Sequence, residues 1–148
     1  MMNAKEYLEQ SRKIRQEIIW ISRQIEKIET ELGYHPLQLD DTGGSHSNFK
    51  EDKMSKLLSE VGDLYTDLNR RKAQLILKDE EIYKTVSKLE GKEREVLVLR
   101  YLTVHPKKTF APLGWRQIGF RMGYTAEGAR YIHDKALKDL GKIISTET

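Results

Sequence analysis

The chain has 148 residues, 38% of them hydrophobic and 33% charged, with a net charge of +3. That length holds one or two small units and excludes a large multidomain enzyme. There is no cysteine, which excludes disulfides and thiolate metal sites and fits a reducing cytoplasm.

The charge is unevenly spread. Residues 1–90 hold 15 Lys/Arg against 17 Asp/Glu, whereas residues 91–148 hold 11 against 6. Positive potential therefore concentrates in the C-terminal third, where a polyanion is expected to dock. The N-terminus, Met1-Met2-Asn3-Ala4-Lys5-Glu6, lacks the basic-then-apolar layout of a secretory signal. No apolar run approaches the ~18 residues of a membrane span, so no membrane association is expected.

From Lys5 to Leu32, the positions Tyr7, Ser11, Ile14, Ile18, Ile21, Ile25, Ile28 and Leu32 recur at alternating spacings of four and three. This is the seam of a coiled coil. Gly33 is the expected helix stop. Pro36 and the run Asp40-Asp41-Thr42-Gly43-Gly44-Ser45 predict a flexible loop over 33–50. A second helix is expected from about Glu51 to Leu89. Its stripe is Met54, Leu57, Leu58, Val61, Leu64, Leu68, Leu75, Ile82, Val86 and Leu89, interrupted at Arg71 and at Lys78-Asp79. Two amphipathic helices joined by a loop fold back most simply as an antiparallel hairpin. Such a pair buries little apolar surface alone. Homo-oligomerisation through 5–32 and 51–89, or docking on a partner, is therefore expected.

After Gly91 the pattern changes. Lys92 to Leu102 reads as one helix, acidic early and with Arg100 late, as the helix dipole favours. A loop from Thr103 to Gly114 follows. The stretch from Trp115 to Leu140 meets the demands of two helices crossing steeply through a short turn. Gly119 supplies a small residue at the crossing, Ile118 and Met122 face inward, and Gly123 suits a positive φ in the turn. Thr125 is placed to cap the next helix. Ala129, Ile132, Ala136, Leu137 and Leu140 form that helix's buried face.

The outer face then carries Ala126, Glu127, Arg130, Tyr131, Asp134 and Lys135. In a DNA-binding helix-turn-helix, the first turns of such a helix enter the major groove. Arg130 is suited to guanine O6 and N7, and Glu127 to cytosine N4, although an acid there also favours the helix dipole. Tyr131 suits a thymine methyl or a phosphate, and Lys135 the phosphate backbone. Gly128 sits in the helix interior at a cost of ~1 kcal/mol relative to Ala, which marks either close approach to DNA or simply a weaker reader. Asp134 would repel phosphate, so the footprint is expected to end near it. Lys107 and Lys108 in the preceding loop are candidates for further phosphate contacts.

Leu89 to Leu102 followed by Trp115 to Leu140 resembles region 4 of the sigma-70 family of RNA polymerase sigma factors. The resemblance rests on Glu93-Arg94-Glu95-Val96-Leu97, Leu99-Arg100-Tyr101, Ile118-Gly119, Met122-Gly123, Thr125, Glu127, Arg130, Ile132 and Lys135-Ala136-Leu137. The whole layout is similar to phage-encoded transcriptional regulators of the RinA and ArpU type. The resemblance implies readout of a promoter-proximal major groove at Ala126, Glu127, Gly128, Arg130, Tyr131 and Lys135. It also implies a bacterial host cytoplasm and contact with host RNA polymerase. Ala126 and Gly128 stand where sigma factors usually carry basic side chains, and Tyr131 replaces a polar amide. Sigma-type promoter specificity therefore does not carry over.

The expected fold is all-α: a coiled-coil-like antiparallel hairpin over 1–90, then a helix-turn-helix DNA-binding domain over 91–148. Histidines 35, 46, 105 and 133 lack ligand spacing, so no metal or cofactor is expected. No phosphate loop or nucleophile constellation appears, and an enzyme is not expected. The reading is a DNA-binding transcriptional regulator of the late-gene activator type, with double-stranded DNA as partner. Its rivals are a small-terminase-like packaging subunit and a sigma-like adaptor that binds RNA polymerase without DNA.

Overall fold

A computed structural model describes residues 2–39, 47–105 and 111–147, with the side chains of 34–39 and 47–51 excepted. Among the described residues the fold is all-helical. Its elements are α1 (Ala4–Leu39), α2 (Ser47–Val86), α3 (Gly91–Leu97), a π segment (Val98–Leu102), α4 (Trp115–Met122) and α5 (Ala126–Glu147). An isolated antiparallel bridge joins Val104 to Pro112. No helix among the described residues is long and apolar enough to cross a membrane.

Three expectations about the elements are corrected. Helix α1 continues through Gly33 and Pro36 to Leu39, and α2 already begins at Ser47. The loop expected over 33–50 is thus helical at 33–39 and 47–50, and its remainder, 40–46, lies outside the described residues. A helix-interior glycine costs only about 1 kcal/mol. An interior proline costs about 3 kcal/mol or more, yet the helix runs past Pro36 to Leu39. The single helix expected over 92–102 instead changes after Leu97 into a π turn. One inserted residue there shifts the phase of the side chains that follow.

The chain forms two compact units, residues 17–73 and residues 1–16 together with 74–148. This differs from the division expected at 90/91. The reason is visible in the core of the discontinuous unit. Ala4 and Leu8 of α1, with Ile82 and Val86 at the end of α2 and Leu89 in the turn after it, are buried in one cluster with Val96, Leu97, Ile118, Ala129, Ala136 and Leu140. The outer turns of the two long helices therefore supply apolar surface that the short C-terminal helices cannot supply for themselves.

In the 17–73 unit, Ile18, Ile21, Ile25 and Leu68 are buried, as the two stripes predict. Leu58, counted in the stripe, is instead 57% exposed, because Leu57 beside it takes the inward position. Arg71, one of the two interruptions, pairs with Glu17 at 2.8 Å. The Tyr65 hydroxyl donates to Glu29 at 2.6 Å.

The other interruption is answered in the discontinuous unit. Arg15 lies on the apolar face of α1, and its side chain is 7% exposed. Its guanidinium donates to both carboxylate oxygens of Asp79, at 3.0 and 2.8 Å, and to the carbonyl of Tyr101 at 3.1 Å. A buried arginine is tolerated only when its donors are met this way. Removal of Asp79 would strand the buried cation, whereas removal of Arg15 leaves a carboxylate that is 33% exposed and can hydrate. Asp79→Ala is therefore expected to cost about 2–3 kcal/mol, below the ~3–5 of a wholly buried pair. Arg15→Met should cost less than Asp79→Ala. Urea unfolding of the two variants tests the order.

Candidate nucleic-acid interface

The geometry of α4, the turn and α5 begins at Gly119. A Cβ there would lie 2.7 Å from the carbonyl oxygens of both Tyr124 and Thr125. Only glycine lets the turn come this close. The turn is closed by two backbone bonds, Tyr124 N–H to Gly119 O at 2.7 Å and Gly123 N–H to Phe120 O at 3.3 Å. Gly123 takes φ of 77°, the left-handed conformation that this pair of bonds requires. Thr125 then caps α5, its hydroxyl accepting the Gly128 amide at 3.0 Å. Each of these roles was expected from the sequence. Tyr124 is additionally fastened to α3, since the Lys92 ammonium donates to its hydroxyl and lies 4.2 Å above its ring.

The inner face of α5 buries Ala129, His133, Ala136 and Leu140, with Ile132 and Leu137 half-buried against the same core. His133 is the member that pattern reading missed. Its Nδ1 lies 3.1 Å from the Asp134 carboxylate and its Nε2 lies 2.7 Å from the Tyr101 hydroxyl. A neutral ring donating at Nδ1 and accepting at Nε2 satisfies both contacts. Trp115 meets the ring edge-on at 4.7 Å and Tyr101 stacks on it at 5.6 Å. Asp134 thus orients a buried imidazole, a role its place on the outer face did not suggest. Burial pushes the Tyr101 hydroxyl up to about 12. Burial lowers the pKa of His133, while Asp134 opposes the shift.

The predicted contact residues fall as follows. Glu127, Arg130 and Tyr131 are exposed on α5, with Tyr131 73% exposed. Lys135 is exposed and its ammonium lies 3.9 Å from Glu93. Glu93 is itself raised in pKa, by burial first and then by its hydrogen bond with Asp139. Ala126 and Gly128 are half-buried. A Cβ on Gly128 would stand 3.2 Å from the capping hydroxyl of Thr125 and 3.5 Å from Cβ of Tyr124. The missing side chain thus makes room for the cap, which accounts for this glycine without DNA. Lys107 and Lys108 lie outside the described residues.

Further cations join this surface. Arg100 donates to the Leu113 carbonyl at 2.6 Å and lies 4.8 Å over the Trp115 ring. Its pKa is lowered, chiefly by burial and then by the charges of Arg12 and, more weakly, Arg130. Arg12 of α1, which also pairs with Glu9 at 3.6 Å, and Arg130 of α5 thus lie near enough to Arg100 for their charges to be felt at the π segment. On α4, Arg116, Gln117, Phe120 and Arg121 are all exposed. These were legible in principle: removing Ile118, Gly119 and Met122 from α4 leaves this set together with Trp115, which the structure packs against the core. Arg12 was not legible, because nothing local places α1 beside the π segment. Among the described residues no group of three or more His, Asp or Glu gathers to hold a metal ion. No family model matches the chain, and no curated protein or solved structure is similar to it.

Gly119→Ala is expected to destabilise by ~1–3 kcal/mol, because the new methyl can be accommodated only by moving turn backbone. Denaturant unfolding reads this directly. His133 gives a pH dependence of definite sign. The unfolded chain takes up a proton at about 6.5 and the folded chain resists it. Stability is then full above that pH and falls as pH drops through 6.5 toward the folded pKa. Glu93, raised in pKa, acts with the opposite sign and from a base of 4.5. His133→Gln is expected to show a flatter stability profile than the parent between about pH 7 and about pH 5.5. Equal slopes would remove His133 as the cause.

Proposed function

We propose that this chain is a DNA-binding transcriptional regulator in which α4, the turn and α5 act as a helix-turn-helix, with α5 in the major groove. The observation that carries the reading is the pairing of a fixed turn with an open face. Gly119, Gly123 and Thr125 set the angle between the two helices, and Glu127, Arg130, Tyr131 and Lys135 stand exposed on α5. A rigid support under exposed base-reading side chains is what sequence recognition needs. The region around Arg12, Arg100 and Arg130 adds positive potential, which favours a polyanion. Arg130 is assigned to a guanine edge, Tyr131 to a thymine methyl or phosphate, and Lys135 to phosphate on release from Glu93.

The two long helices are proposed to form an antiparallel hairpin. In the 17–73 unit, Glu17 meets Arg71 and Glu29 meets Tyr65, so position rises along one helix as it falls along the other. The resemblance to sigma-70 region 4 and to phage regulators of the RinA and ArpU type supports a late-gene activator that works beside a host RNA polymerase. The adaptor reading is favoured by one observation, the exposed Phe120 on α4, which is developed below.

The test is selection of randomised duplexes by the full chain at ~0.15 M salt, followed by sequencing. Enrichment of one motif is expected, and uniform or absent retention would overturn the reading. On the selected site, Arg130→Ala is expected to weaken binding by ~1–3 kcal/mol while random duplex binding changes little. An equal loss on both would reassign Arg130 to phosphate.

A further inference from the structure

Phe120 presents 87% of its surface to solvent. Leaving a phenylalanine in water forgoes the free energy that burying its ring would supply. Its neighbours on α4 show that this is not overflow from a crowded core. Trp115 and Met122 pack against the cluster and Ile118 is fully buried, so the inward positions of the helix are filled. The ring instead lines a shallow groove of about 370 Å³ with Arg116, Gln117 and Arg121.

Residues 116 and 120 are one turn apart, as are 117 and 121, so the four side chains form two adjacent rows on one face. No acid occurs anywhere on α4. Arg116 and Arg121 are exposed and have no ion-pair partner among the described residues. The groove is therefore apolar at its centre and cationic at its rim. Aromatic and arginine side chains are the types enriched where proteins bind one another, the ring as anchor and the guanidinium as a bidentate donor to carboxylate. A phosphodiester backbone would engage the two arginines and leave the ring in water.

We propose that Phe120, Arg116, Gln117 and Arg121 form a docking patch for an acidic protein segment that carries an apolar side chain. The apolar group packs on the Phe120 ring and flanking Asp or Glu side chains pair with Arg116 and Arg121. The patch gives chemical content to the polymerase contact and rests on the regulator reading only in that respect. The groove itself is separate from the α5 face.

The test is titration of the nitrogen-15-labelled full chain with a synthetic peptide in which Asp and Glu alternate with Leu and Phe. Saturable amide shifts centred on residues 116–121 are expected. A matched peptide with Ser in place of Leu and Phe should produce none. Phe120→Ala is expected to weaken the peptide by about tenfold or more, and the double variant R116E/R121E by at least as much. Because Phe120 is almost wholly exposed, its truncation should leave the melting temperature unchanged, which separates lost binding from lost fold. Absence of saturable shifts on α4 overturns the proposal. So does a short duplex that shifts α4 in a Phe120-dependent way while the peptide shifts nothing. Duplex-induced shifts on α5 report on DNA binding separately, so either reading can fail alone.

Discussion

The guanidinium of Arg15 is bonded to three helical segments at once. It extends from α1, holds the Asp79 carboxylate of α2 and donates to the Tyr101 carbonyl in the π segment. A π turn breaks the regular ladder and frees carbonyls that must be satisfied from outside. Thr103 answers one of them by donating to Val98 O, and Arg15 answers another. Once its carbonyl is fixed, Tyr101 turns its ring inward and its hydroxyl reaches His133 on α5. The placement of α5 thus depends, through two hydrogen bonds and a stacked ring, on a charge on the first helix. Because that charge is buried, it selects one partner arrangement: any packing that separates Arg15 from Asp79 leaves an ion without water or counter-ion.

The same economy of polar groups shapes the face offered to a ligand. Along α5, side chains alternate between support and display. His133 and Asp134 are adjacent, yet the first is buried between two aromatic rings and the second reaches back to bond it. Arg130 and Tyr131 remain outside, over a helix whose start is held by Thr125 and whose approach to α4 is set by the bare Cα of Gly119. Lys135 stands beside Glu93. The cations are therefore graded. Arg100 is committed to Leu113 and Trp115, Lys135 is loosely paired, and Arg116 and Arg121 are without an ion pair among the described residues.

Much of this was legible in the sequence because the signals were local. The seams of both long helices, the turn glycines, the Thr125 cap and most of the inner face of α5 follow from spacing and from the backbone needs of single residues. What was not legible depended on contacts between distant segments. Arg15 falls beside the seam read from the sequence, which runs through Ile14, and its partner Asp79 looks only like an interruption of the other stripe. The π turn leaves no mark on periodicity over so few residues, and His133 looks polar until Tyr101 and Trp115 are beside it. The extent of the loop was misjudged for a different reason. Glycine and proline mark where a helix can end, and whether it does depends on the free energy of the turns already formed. The outer face of α4 was readable by the subtraction applied to α5.

The discontinuous unit has a consequence for the order in which the molecule takes shape. Residues 17–73 are contiguous, so the Ile18, Ile21, Ile25 and Leu68 core has all its parts once that stretch of chain exists. The other unit cannot close so early. Leu8 must wait for Leu97, Ile118 and Leu140, which are separated from it by the whole intervening stretch. On a ribosome, which makes chain at ~5–20 residues per second, the first turns of α1 are exposed for several seconds before their partners emerge. In that interval an apolar edge bearing an unpaired arginine is open to water. The charge of Arg15, costly in the finished core, keeps that edge from being a continuous apolar strip while it waits.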